Sequence, residues 1–154
     1  MAIEPLETAR GDDFPGCQQL SVFLESRLGQ LLQLTRVFDG LDVRILGLTV
    51  DSAVDCAIVR MLVDDPDTAH RALTDNGFAV SVSDVLVVEL PHGERGIMTI
   101  CRALLGGEIN INYTYPLIAK GERPACLAIH VDNPTTAAAT LIRQSFNVLD
   151  QSDL

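Results

Sequence analysis

Two short loops carry residue types suited to holding a small zwitterion. The first, Ser26-Arg27-Leu28-Gly29, runs into a helical stretch at Gln30; the second, Pro91–Gly96, contains Gly93 and Gly96 and runs into a helical stretch at Ile97. A helix N-terminus presents unpaired N–H groups and a partial positive charge, which suits a carboxylate. Gly29 and Gly96 let the backbone approach a ligand closely. An α-ammonium needs acceptors, and Asp42, Asp51, Asn110 or the carbonyls of the strand after the first helix can serve. Ser26 and Gln30 add neutral groups able to sort side chains. The plainer reading is that both glycines make turns and Ser26 caps its helix. The shorter first loop is read as the better formed site. The second, with His92, Glu94 and Arg95, is either a second site or a surface turn.

Catalysis finds little footing. His70, His92 and His130 have no carboxylate or thiol at a spacing that would activate a nucleophile. The four cysteines, Cys17, Cys56, Cys101 and Cys126, lie far apart without a CxxC pair. A reduced cytoplasmic protein with buried thiols is therefore expected, Cys101 and Cys126 being read as core. Nothing resembles a metal quartet, a phosphate cradle or a carboxylate pair, so neither cofactor nor metal is expected. Asp12-Asp13 reads as a solvated tail, and Asp64-Asp65 as a helix cap. With 21 Asp+Glu against 11 Lys+Arg, the net charge of −10 argues against nucleic acid as partner. No run approaches the roughly 18 apolar residues of a membrane span, and the acidic start does not read as a signal peptide.

The elements that must position these loops occur twice, in the same order. QLSVFLE (19–25) and DVLVVEL (84–90) read as strands, each leading through its loop into a helix, QLLQLTRVF (30–38) or IMTICRALL (97–105). Leu31, Leu34, Phe38 and Leu41 are expected to line one side of the first helix. Strands follow at DVRILGLTV (42–50) and INYTYPLI (111–118), then CAIVRMLV (56–63) and ACLAIHV (125–131). Next come near-identical helix starts, DDP (64–66) and DNP (132–134), in which Asp65 and Asn133 are N-caps and Pro66 and Pro134 take the first helical position. GFAV (77–80) and SFNV (145–148) close each half. A period of about 68 residues suits a small domain rather than a solenoid unit.

Strand, helix, strand, strand, helix, strand in each half predicts an α+β chain. It consists of two ferredoxin-like βαββαβ units in tandem, with antiparallel sheets and helices on one face. The expected divisions are a flexible arm (1–16), a first unit (17–83) and a second (84–154). The junction SVSDV lacks linker composition, which implies rigid packing. The strand after each first helix falls on a sheet edge. Its apolar ILGLTV run needs cover from the matching strand of the other unit, in this chain or another.

In order and spacing the chain from about Gln18 onward resembles the tandem, free-standing form of the ACT family. The resemblance rests on QLSVFLES-x-x-G, DVRILGLTVD, IVRMLVDDPDTA, the stretch GFAVSVSDVLVVELP, then GGEININY and FNVL. It implies ACT units side by side, with the loop between first strand and first helix helping to bind a free amino acid. The family's loop commonly carries Asn and Pro before its Gly. Here Ser26 and Leu28 stand there in the first loop, Arg95 takes the Pro position in the second, and Gly29 and Gly96 are kept. The Asn that often follows the first helix is present as Asn110 and replaced by Asp42 in the first unit. The implied function is non-catalytic: a homodimer whose ligand pockets lie at unit interfaces, controlling amino-acid metabolism. The alternatives are a regulatory subunit of a biosynthetic enzyme such as acetolactate synthase, and a structural dimerisation module without ligand.

Overall fold

The computed structural model describes residues 15–92, 96–118 and 121–154. Along the chain run β1 (Cys17–Glu25), α1 (Gln30–Arg36), β2 (Ile45–Ser52), β3 (Cys56–Val63), α2 (Pro66–Asp75) and β4 (Ala79–Glu89). These are followed by α3 (Gly96–Gly106), β5 (Ile111–Pro116), β6 (Cys126–Val131), α4 (Pro134–Arg143) and β7 (Val148–Leu149). The duplicated helix starts follow their chemistry. Asp65 and Asn133 side chains accept the N–H groups of Thr68 and Thr136, each at 3.1 Å, and a proline opens each helix. One residue before each cap, a second aspartate ties down the neighbouring strand. Asp64 accepts the Arg44 N–H at 2.8 Å and Nε at 3.1 Å, and Asp132 accepts the Asn110 N–H at 3.2 Å. Burial alone would raise the Asp64 pKa, but the Arg44 amide and guanidinium together hold it below the usual carboxylate value.

The fold is α+β: two ferredoxin-like units whose strands form one curled antiparallel sheet in the order β2-β3-β1-β4-β6-β5, with β7 also on β4. β4 belongs to both halves. From Ala79 to Val85 it pairs with β1, and from Leu86 to Glu89 with β6. The position between Ser83 and Asp84 thus lies inside a continuous strand. The run Val85–Val88 is buried on both faces of the sheet, since alternate residues enter different cores.

Helices cover the outer face. Leu20, Val22, Val59 and Met61 meet Leu34, Phe38, Ala69 and Leu73, while Leu86, Val88 and Ile129 meet Ile100, Leu104, Ala137 and Leu141. The helix-free face closes on itself, burying Cys17, Leu62, Val85, Val87, Tyr115, Ala128 and Leu149. The edge strands meet there, inside one chain. The Ile118 N–H donates to the Leu46 carbonyl at 2.6 Å, and a Cβ on Gly47 would lie 2.5 Å from Leu117 Cδ2. Pro116 carries no N–H, so the contact does not extend into a full ladder.

At the heart of this inner face sits Gln19, fully buried on β1. Its Nε2 donates to Tyr113 Oη at 2.7 Å, and Tyr115 Oη donates to its Oε1 at 2.7 Å. One glutamine therefore joins the two units through both ends of its amide. Beside it the Tyr113 ring stacks on His130 (centroids 4.7 Å) and carries the Arg60 guanidinium at 4.2 Å. Burial, then the charge of Arg60, lowers the His130 pKa. Burial foremost, and then the carboxylates of Asp150, Asp153 and Asp84, push Cys17 to about 12, so this thiol stays protonated and inert.

The structure corrects three readings of faces. Cys101 is exposed, because Ile100, Ala103 and Leu104 turn inward and Cys101 lies about 100° round the helix from Ile100. Cys56 is exposed and Cys126 only partly buried, which leaves Cys17 as the one fully enclosed thiol. α1 ends at Arg36, and Leu31 stands on its exposed flank while Leu34 and Phe38 enter the core. The arm's residues 1–14 lie outside the described residues.

Gln19→Ala would remove the partner of the buried Tyr115 hydroxyl and of the part-buried Tyr113 hydroxyl, and open a void. We expect a loss of about 2–4 kcal/mol in urea unfolding. Tyr115→Phe should then cost much less in the Gln19→Ala background than in the wild-type chain; fully additive losses would show that the pair is uncoupled.

Candidate functional site

The two loops that carry the candidate chemistry occupy equivalent places, between the first strand of each unit and its first helix. Their glycines do different work. Gly29 is the N-cap of α1 at φ +83°, with nothing within 4 Å of where a Cβ would stand, so its role is the left-handed backbone alone. Gly96 opens α3 buried, and a Cβ there would lie 2.9 Å from the Pro91 carbonyl. It permits close approach of chain to chain.

The first loop stands open to solvent. Ser26, Arg27, Leu28 and Gly29 are all exposed, and Gln30 is half-buried. Ser26 makes no side-chain cap; its N–H reaches the Asp55 carbonyl at 3.4 Å, pinning the loop to the β2–β3 turn. Arg27 pairs with Glu25, and Gln30 Nε2 donates to Gln33 at 3.4 Å. Asp51 lies on the strand leading into that same turn. Asp42 is at the far end of α1, beyond a helix of about 10 Å.

In the second unit Gly96 and exposed Ile97 start α3, while Asn110 follows its other end, about 16 Å away along the helix. Gly93 lies outside the described residues. Beneath the loop's first residues is a cavity of about 180 Å³, lined by Glu89 to His92, Pro124 and Ser145 to Asn147. A second, apolar cavity of about 40 Å³ lies where Leu46, Leu117, Ile118, Leu149 and Leu154 converge.

Although separated along the chain, Asp51 and Asn110 are joined by a string of contacts across the units. Asp51 pairs with Arg60 at 3.6 Å, and Arg60 covers the Tyr113 ring, which stacks on His130. His130 Nδ1 lies 3.0 Å from Asn112 Nδ2, and Asn112 Oδ1 accepts from Asn110 at 3.2 Å. Arg60, Tyr113, Asn112 and His130 were not among the residues picked from sequence. Their signal, polar or aromatic residues alternating within β3, β5 and β6, appears only once the inner face is known to be covered. Among the described residues no His/Cys/Asp/Glu group could hold a metal, and no helix is long and apolar enough to cross a membrane.

This geometry belongs to a recognised class: the chain is a member of the ACT domain pair family, which it matches from residue 16 to residue 154. Its fold is close to that of protein BT0572 from Bacteroides thetaiotaomicron, with a TM-score of 0.83 and 29% identity over 91% of this chain and 96% of that one. It is also similar to the ligand-free regulatory subunit of aspartate kinase from Thermus thermophilus (TM-score 0.57, 13% identity, 85% and 93% covered). The corresponding subunit from Thermus flavus gives a TM-score of 0.54 at 10% identity, with the same coverage. No curated protein sequence matches the chain.

The unequal glycines lead to unequal costs. Gly29→Ala should lose about 1 kcal/mol, the strain of a side chain at positive φ. Gly96→Ala must displace backbone at Pro91 and should lose about 1–3 kcal/mol. Urea unfolding of the two variants checks both the values and their order.

Proposed function

We propose that this chain is a non-catalytic regulatory protein that binds a free amino acid and controls amino-acid metabolism. The observation that carries the reading is the duplicated placement of two glycine-bearing loops, each opening directly into a helix at the same end of its unit. Helix starts favour a carboxylate, and acidic and amide side chains stand within reach of an ammonium: Asp51 near the first loop, and Glu89 and Asn147 below the second. Membership in the ACT domain pair family and the shared fold with regulatory subunits of aspartate kinase support the same reading. On this view Ser26 to Gln30 and Asp51 form one ligand site, with Gly93, Gly96 and Ile97 forming the other; Asp42 and Asn110 complete sites only across an interface between units. The protein works in the cytoplasm, without nucleic acid or membrane.

Homodimerisation is part of the proposal. The outer faces of α1 and α3 expose Leu31 and Leu32, and Ile97, Met98 and Leu105, with Leu28 exposed in the loop before α1. Neither helix contains an acidic residue, in a chain of net charge −10. These are the places where two copies can meet without opposing carboxylates. A second reading, a regulatory subunit docked on a biosynthetic enzyme, draws on the same two apolar faces and on the aspartate kinase likeness.

Thermal-shift measurement against the twenty amino acids is the direct test. A ligand at 100 times its dissociation constant stabilises by about 2.7 kcal/mol, several degrees for a chain of this size. Flat curves across the panel would remove amino-acid sensing by the free chain. Light scattering at micromolar concentration should return twice the 16.7 kDa protomer mass; a monomer would remove the homodimer, and a stable complex with a catalytic subunit would favour the second reading.

A further inference from the structure

The two units are not chemically equivalent at the sheet end beneath their loops. In the first unit Phe23 on β1 lies opposite Ala79 on β4. The duplicated register places Glu89 where Phe23 stands and Asn147 where Ala79 stands; the Glu89 N–H donates to the Asn147 carbonyl at 3.0 Å. The same correspondence sets Ser145, at φ +68°, in the place of Gly77, at φ +84°. The turns match, since Phe78 and Phe146 donate to Leu73 and Leu141 at 3.1 and 3.0 Å. A hydrocarbon pair has thus become a carboxylate beside an amide, with a hydroxyl next to them. In the second unit these groups line the cavity of about 180 Å³, together with His92, Phe146 and Pro124.

Glu89 is half-buried, and its carboxylate has no hydrogen-bond or ion-pair partner among the described residues. Glu89 is the one charged side chain among the residues that line the cavity, so a cationic ligand entering there meets its counter-charge in that carboxylate. A cavity below the 300–1,000 Å³ of drug-sized clefts suits a small molecule. We infer that this cavity binds the protonated amine of a small amino compound, with Glu89 as the counter-charge and Asn147, Ser145 and His92 as hydrogen-bonding partners for the ligand's other polar end. The inference rests on the amino-acid reading above and deepens it by naming the second unit's cavity as the site. It also implies an order of preference. Amines and amino acids with a free ammonium bind, N-acylated ones do not, and acidic amino acids bind least because a second carboxylate would face Glu89.

The test is calorimetric titration of the full chain with glycinamide, glycine, N-acetylglycine and aspartate, alongside the other standard amino acids. Binding of glycinamide or of any neutral amino acid, with at least tenfold weaker binding in Glu89→Gln, supports the assignment. Asn147→Ala, which restores the first unit's residue, should weaken binding several-fold and guards against a folding artefact in the first variant. Equal affinity in Glu89→Gln and wild type overturns the assignment while leaving amino-acid sensing intact, the more so where Gly29→Val alone abolishes binding. N-acetylglycine binding as well as glycine overturns it too. Binding of glycinamide without any amino acid keeps the cavity and removes the amino-acid reading; silence from every probe removes both.

Discussion

Everything in this molecule hangs on one strand being asked to serve both units of a single sheet. β4 donates its first half to β1 and its second half to β6, so the halves of the duplication share backbone hydrogen bonds rather than a linker. The sheet can then curl until its edges, β2 and β5, touch through the Ile118–Leu46 hydrogen bond. Curling encloses the face that carries no helices. It also blunts two strand edges that would otherwise template pairing with another chain.

An enclosed face needs its polar groups matched, and the chain does so with few residues. Gln19 makes its shortest amide bonds to Tyr113 and Tyr115, with Ser21 and Ser83 also near its Nε2, and no buried side-chain polar atom among the described residues lacks a partner. The string from Asp51 through Arg60, Tyr113, His130 and Asn112 to Asn110 carries the same theme out to the surface. Ligand contact at either end of that string would act on groups that hold the units together, which gives binding a route to the packing between them.

Duplication supplied two copies of each loop, and the copies have separated in character. The first is exposed and held by its left-handed Gly29; in the second Gly96 is tucked against Pro91, and Pro91 and His92 line a cavity edged by Glu89 and Asn147. The exposed apolar faces of α1 and α3 remain similar in both units.

Much of this was legible from local chemistry. Asp65-Pro66 and Asn133-Pro134 specify helix starts by capping and fixed φ, whatever surrounds them. The alternation in Leu20, Val22 and Leu24 likewise specifies one buried face. The order of elements, and with it the ferredoxin-like units, followed from those signals. What tertiary structure alone decided was the fate of the other face: that β4 is unbroken, that Gln19 is buried, that Cys101 and Leu31 look outward, and that Glu89 meets Asn147 over a cavity. Periodicity reports which residues of one element share a side, because that depends on the geometry of a single strand or helix. It cannot report what lies across from them, because a contact such as Gln19–Tyr115, 96 positions apart, depends on how far the whole sheet curls.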